Sequence, residues 1–159
     1  MTPRRVISSE EYRALVGREL GVSEWLSVLQ PRIDAFATVT EDHQAIHVDP
    51  VAAAKSLFGT TIAHGFLTLS LLSKMAYEAL PVVAGTVAAV NRGFEHLRFV
   101  SPVRAGSRIR GRFRLKEVAE RDKSILQSTL DVIVDIEGEH KPALVGDWLT
   151  MIVLGSTRS

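Results

Sequence analysis

The chain has 159 residues, 46% of them hydrophobic and 23% charged, and its 19 Lys and Arg against 18 Asp and Glu leave a formal net charge of +1. That size and apolar content suit one globular domain and exclude a disordered segment, and the even charge balance argues against the broad positive field of a nucleic-acid binder. The absence of cysteine excludes a disulfide framework, a thiolate metal site and a cysteine nucleophile; with no apolar run long enough for a signal peptide or a spanning helix, a cytoplasmic protein with no membrane partner is expected.

In chain order, Ser8 or Ser9 ahead of Glu10, Glu11, Tyr12, Leu15 and Val16 has the pattern of a capped short helix ending near Gly17 or Gly21. Residues 1–21 are thus expected to form a helical extension covering the core of a domain at 22–154, with a tail at 155–159. Glu24 to Val28 reads as a strand. Pro31 suits the first turn of a helix whose apolar positions Ile33, Phe36, Ala37 and Val39 recur at helical spacing and which stops near Thr40. Residues 41–50, EDHQAIHVDP, hold too many ionisable groups for a helix interior and are expected to be a loop. Asp49 as N-cap and Pro50 at the first helical position then open a short helix to about Ser56. From His64 to Leu80 charge is scarce and β-branching low, and Pro81 follows; one long helix, apolar on nearly every side and therefore buried, is predicted.

Beyond Gly85 the period changes to two. Ile109, Phe113 and Leu115 alternate with Arg108, Arg110, Arg112, Arg114 and Lys116, and Leu126, Leu130, Val132, Val134 and Ile136 repeat the pattern. With strands at 86–99 and 143–154, and turns at 104–107, 120–123 and 137–139, this predicts an antiparallel sheet curled around the long helix, an α+β domain. The arginine face reads as a solvated sheet face, and Phe113 falls on its apolar side, against a nucleic-acid surface. One curled sheet covers one face of a helix, so Leu67, Leu71 or Met75 and a strand edge are expected to need a second copy of the chain, giving a homodimer.

The reactive groups concentrate in Asp42-His43-Gln44-Ala45-Ile46-His47, followed after a short helix by Phe58 to Gly65. A carboxylate and an imidazole on either side of one water can take and deliver protons locally, as acid–base catalysis requires. A metal site from His43, His47 and Asp49 would need helical geometry that Pro50 and the polar loop disfavour, so no metal is expected.

The segment FATVTEDHQAIHVDPVAAAKSLFGTTIAHGFLTLSLL resembles the MaoC-like (R)-specific enoyl-CoA hydratases, and more closely their nodulation-protein-N-like branch, whose pattern is usually written G-D-x-N-P-[IL]-H. Leu97 to Gly106 also looks like the family's strand and turn after the central helix. Glu41 stands where the family commonly has Gly, Gln44 where it has Asn and Ala45 where it often has Pro; the branch accepts the last two. The extra carboxylate of Glu41 either acts on Asp42 by like-charge repulsion or points into solvent.

The resemblance implies a single hot-dog domain, a homodimer with its acyl pocket near the subunit contact, and a lyase of fatty acid metabolism that reversibly hydrates trans-2-enoyl-CoA to (3R)-3-hydroxyacyl-CoA without a cofactor. Asp42 and His47 would activate the water, the Gly65 backbone N–H would hold the thioester oxygen, and Gln44 would orient the water or the Asp42 loop. His64 reads as a residue that caps or packs the helix start, and Gly59 as a turn position. Arg98, Arg104 or part of the 108–114 cluster would meet the coenzyme A phosphates. A hot-dog thioesterase is the rival enzyme; it would need a carboxylate or similar group on the central helix, where Phe66 to Met75 offer only Thr68, Ser70, Ser73 and Lys74. A non-catalytic acyl-CoA-binding module is the rival outside enzymes.

Overall fold

A computed structural model describes residues 4–122 and 124–155, so most of the expected tail at 155–159 lies outside the described residues. The first helix forms where the capping pattern places it. In α1 (Ser9–Ala14) the Glu11 N–H donates to Ser8 Oγ at 3.0 Å and the Ser8 N–H to Glu11 Oε2 at 2.7 Å, a reciprocal capping box. Tyr12 points into the core and donates its hydroxyl proton to Ser128 Oγ at 3.2 Å. On either side of α1 stand β1 (Val6–Ile7) and β2 (Glu19–Val22), two short strands that the sequence pattern does not announce. β1 runs parallel to β4 (Val82–Val83), and β2 pairs with β6 (Arg108–Asp122), so residues 6–22 are stitched into the same sheets and core as the rest.

The strand expected at 24–28 shortens to β3 (Leu26–Ser27). α2 (Gln30–Thr40) takes Pro31 in its first turn and buries Ile33 and Ala37, while Val39, expected on the apolar face, is exposed. The loop expected at 41–50 contains one helical turn, α3 (Ala45–Val48), and α4 (Pro50–Ala54) follows, capped by the Asp49 side chain. Tertiary bonds override the polar composition at α3: Ile62 N–H donates to Ile46 O at 3.0 Å, and Gln30 Nε2 to His47 O at 2.8 Å.

The central helix comes as two in-line pieces, α5 (Gly65–Ser70) and α6 (Leu72–Ala79), joined at Leu71, whose ψ of −15° has relaxed toward the tighter 3₁₀ form. Strands β5 (Thr86–Phe99), β6, β7 (Ile125–Ile136) and β8 (Leu144–Leu154) wrap this helix in the order β2-β6-β7-β8-β5, with β3 also on β6. All these pairings are antiparallel. On β7 every second residue from Leu126 to Ile136 is buried. Gly111 lets α6 settle on β6, since a Cβ there would come within 3.0 Å of Met75 Cβ.

One expectation about the helix is corrected. Leu67 and Met75 are 5% and 0% exposed within this single chain, in one core cluster that also takes in Ile7 of β1 and Val83 of β4. What stays bare is β5, which pairs on one side with β8 alone and exposes most of its length on both faces. The side chains of the arginine face have partners: Arg108 pairs with Glu137, Arg110 with Asp135 and Arg112 with Glu19, and Arg114 donates to Gly17 O. Arg110 also lies 4.5 Å over the Trp25 ring. No helix among the described residues is long and apolar enough to cross a membrane.

Candidate active site

Asp42 and His47 are brought together across the α2–α3 junction. Glu41 closes α2 in the left-handed region at φ 60°, a conformation that favours glycine, and its side chain is exposed. The next residue, Asp42, turns its carboxylate to the mouth of the site with a side-chain exposure of 42%. His47, on the one-turn helix α3, is buried, and its Nδ1 lies 2.7 Å from Ile62 O. A carbonyl only accepts, so Nδ1 carries the proton of that bond, and in the neutral ring Nε2 presents a lone pair. The partner carbonyl is itself fixed. Ile62 forms a bridge with Arg104, and the flanking Ala63 N–H donates to Val103 O at 2.7 Å and Ala105 N–H to Thr61 O at 2.9 Å.

The contact missed in the sequence is His64. It is 3% exposed, stacks on His47 with ring centroids 3.8 Å apart and planes at 25°, and is flanked by the Phe36 ring at 5.0 Å. Its Nε2 donates to the backbone oxygen of Asp42 at 2.9 Å and stands 4.0 Å from that residue's Oδ2. It is also the N-cap of α5, one peptide before Gly65. One side chain thus touches the acid, the base and the start of the central helix. Only His64's place at the helix start was legible, because its bond to Asp42 spans 22 residues of sequence.

Gln44 is exposed; its main-chain oxygen accepts the His47 N–H at 2.9 Å, and its side chain enters no hydrogen bond among the described residues. Gln30 reaches this turn from α2. Its Nε2 donates to His47 O, and its Oε1 accepts from the buried Thr61 hydroxyl at 2.5 Å. Gly65 is the first residue of α5, where main-chain N–H groups lack intrahelical acceptors, and a Cβ there would lie 3.1 Å from the Phe99 ring. Gly59 sits in a turn at φ 71°.

One ligand-type atom from each of Asp42, His47 and His64 lies within 4.8 Å of the others. One water can bridge such a spacing with two bonds of about 2.7–2.9 Å. The His47 and His64 rings each spend one nitrogen on a main-chain carbonyl, which fixes how each ring is turned in the trio. The grouping of His43, His47 and Asp49 does not assemble, because His43 is exposed and Asp49 caps α4 through the N–H groups of Val51 and Ala52.

The family model for the MaoC-like domain matches residues 11–135. The chain belongs to that family. This MaoC-like chain is 50% identical over 147 residues to nodulation protein N of Rhizobium leguminosarum bv. viciae, covering 92% of this chain and 91% of that protein. It is 40% identical over 146 residues to 3-hydroxyacyl-thioester dehydratase Z of Mycobacterium tuberculosis, covering 92% and 96%. Among solved structures it superposes on the (R)-hydratase from A. caviae with a TM-score of 0.67 at 26% identity, over 85% of this chain and 94% of that one. The hot-dog architecture implied by the sequence is thereby the architecture of the MaoC-like chain.

Proposed function

We propose that this MaoC-like chain reversibly hydrates trans-2-enoyl-CoA to (3R)-3-hydroxyacyl-CoA. The observation that carries the reading is the juxtaposition of the half-exposed Asp42 carboxylate with a buried His47 whose Nδ1–H is tied to Ile62 O. Water held between them loses one proton to the pair as its oxygen bonds to C3. The pair returns one proton to C2, and the thioester is left intact. Positioned acid–base groups of this kind contribute roughly 10²–10⁴-fold. As electron density moves from C3 through C2 to the thioester oxygen, the Gly65 N–H donates to that oxygen. His64 and Gln30 hold the two halves of the pair in register.

The names of the relatives support the same chemistry: one is a 3-hydroxyacyl-thioester dehydratase and another an (R)-specific enoyl-CoA hydratase, and dehydration and hydration are the two directions of one reaction. Against the thioesterase alternative, the one carboxylate on α5 and α6 is Glu78, and it pairs with Lys74 at the surface. For the coenzyme A phosphates, the β6 arginines are engaged, whereas Arg98 and Arg104 have no ion-pair partner among the described residues. We assign the phosphates to this second pair.

The bare edge of β5, with exposed Val87, Val90 and Phe99 beside exposed Phe66 and Tyr77 on the helix, suits antiparallel pairing with a second copy, and the reading includes a homodimer. The test of function is hydration of crotonyl-CoA and longer trans-2-enoyl-CoAs with chiral analysis of the product. The expected product is the (3R)-hydroxyacyl-CoA. A (3S) product, or none at any chain length, overturns the proposal.

A further inference from the structure

Between α6, β4 and the inner face of the sheet lies a cavity of about 470 Å³, a volume typical of small-molecule sites. None of Asp42, His47, His64 and Gly65 lines it. Most of its wall is aliphatic, with Ala76, Leu80, Val83, Leu130 and Ile152 among the contributors, and its polar side chains are neutral with one exception. Arg4 is the one charged residue on the wall.

Two contacts with other wall residues place the guanidinium itself there. Its Nε donates to Leu80 O at 3.1 Å, and its central carbon lies 4.5 Å over the Tyr77 ring. The two terminal Nη groups, an edge that can meet a carboxylate with two parallel bonds, enter no hydrogen bond among the described residues. No carboxylate among the described residues pairs with Arg4; Glu78, next to Tyr77 in the chain, is taken by Lys74. Arg4 is half-buried and Tyr77 exposed, so this end of the cavity is a mouth. A carboxylate bound there keeps part of its hydration and escapes the cost of a fully buried charge.

Tyr77 follows Gly65 by twelve residues on the helical run, about 18 Å at 1.5 Å per residue. A thioester whose oxygen lies at Gly65 and whose chain follows the helix crosses the aliphatic wall and reaches Arg4 with its far end alone. A methyl end displaces water from the guanidinium and supplies no acceptor in its place, whereas a carboxylate end supplies two.

Resting on the thioester reading above, we propose that Arg4 selects enoyl thioesters whose acyl chain ends in a carboxylate over those whose chain ends in a methyl group. The substrate class is then a long-chain ω-carboxy-2-enoyl thioester, with Arg4 as its specificity-determining residue.

The test is kcat/KM for trans-2-enoyl-CoAs of increasing length, each beside its ω-carboxy counterpart, in the wild type and in Arg4→Gln, which keeps a donor for Leu80 O and removes the charge. At the length that reaches Arg4 the wild type is expected to favour the ω-carboxy substrate about tenfold, and Arg4→Gln to bring the ratio to one or below. An Arg4 that only ties the N-terminal segment to the end of α6 lowers both substrates together and leaves the ratio intact. That result, or wild-type preference for the methyl-ended member at every length, overturns the proposal. Calorimetric binding of the matched saturated acyl-CoAs to the wild type separates this inference from the reaction. Preference in binding without turnover sustains the role of Arg4 and removes the hydratase reading; turnover without preference does the reverse.

Discussion

Strands β6 to β8 and the segment from Asp42 to Gly65 hold their shape by opposite means. On β7, Leu126, Leu130, Val132, Val134 and Ile136 repeat one contact pattern along the strand, and each fully buried side chain of this size contributes about 1.5–3 kcal/mol. The site segment has no repeat. It is held by single bonds to carbonyls, His47 Nδ1 to Ile62 O, His64 Nε2 to Asp42 O and Gln30 Nε2 to His47 O, with one imidazole stack at their centre. Stability is spread over many equivalent residues in the sheet, whereas the geometry of the proposed site rests on a few single bonds. Changes in the two regions should therefore separate, one kind reducing turnover and the other reducing folding free energy.

The largest effect is expected at the reacting pair. Asp42→Asn and His47→Ala should each lower hydration at least about a hundredfold while keeping a cooperative melting transition, as read by steady-state kinetics beside thermal denaturation. Near wild-type turnover in either variant would break the comparison at its strongest point. Next in size, Leu115→Ala, at a position fully buried between helix and sheet, should cost about 2–5 kcal/mol in denaturant unfolding. If turnover per folded molecule fell with it, the site would depend on the sheet more closely than its bonding suggests.

His64 sharpens the comparison, since it lies in the core and in the site at once. His64→Leu keeps bulk against Phe36 and His47 but removes the donor to Asp42 O, and kcat is expected to fall about tenfold with a smaller change in KM. A change in KM alone would assign the residue to substrate binding.

Much of this architecture was legible because it repeats or carries a cap. The period of two on β6 and β7, Pro31 in the first turn of α2 and the pairing of Ser8 with Glu11 each report a local structure that tertiary contacts leave in place. β1, β2 and β4 are two to four residues long, too short to display a period; β2 forms on the edge of β6, and β1 and β4 on each other. In the site, Asp42 and His47 stood out through the resemblance of the segment around them to the MaoC-like pattern. The carbonyl partners and the His47–His64 stack did not, because main-chain acceptors leave no trace in a sequence and the stacked rings are 17 residues apart. Glu41 was legible only as a departure from a glycine; the structure supplies the reason in its positive φ.

The smallest effects concern the caps. Glu41→Gly relieves a left-handed glutamate and should stabilise the fold by about 1 kcal/mol, visible as a raised melting midpoint. Ser8→Ala removes the α1 cap at a cost of about 1 kcal/mol. It should also flatten the acid limb of the stability curve. Hydrogen bonds from the Ser8 backbone and side chain hold the Glu11 carboxyl below its ordinary range, so the cap's contribution is present above that range and is lost as pH falls through the lowered value. Thermal melts of both proteins across the acid range check the sign: a Ser8→Ala curve parallel to the wild type would show that the Ser8 side chain adds nothing to the backbone bond on Glu11, which the substitution keeps.

The central claim is that the Asp42–His47 pair moves protons for water addition and leaves the thioester bond untouched. It is tested most directly by following, in one sample of purified wild type, the loss of the conjugated enoyl-thioester absorbance together with thiol release. The account predicts reversible loss of the conjugated absorbance with no free thiol. Thiol release without hydration contradicts it and transfers the pair to hydrolysis.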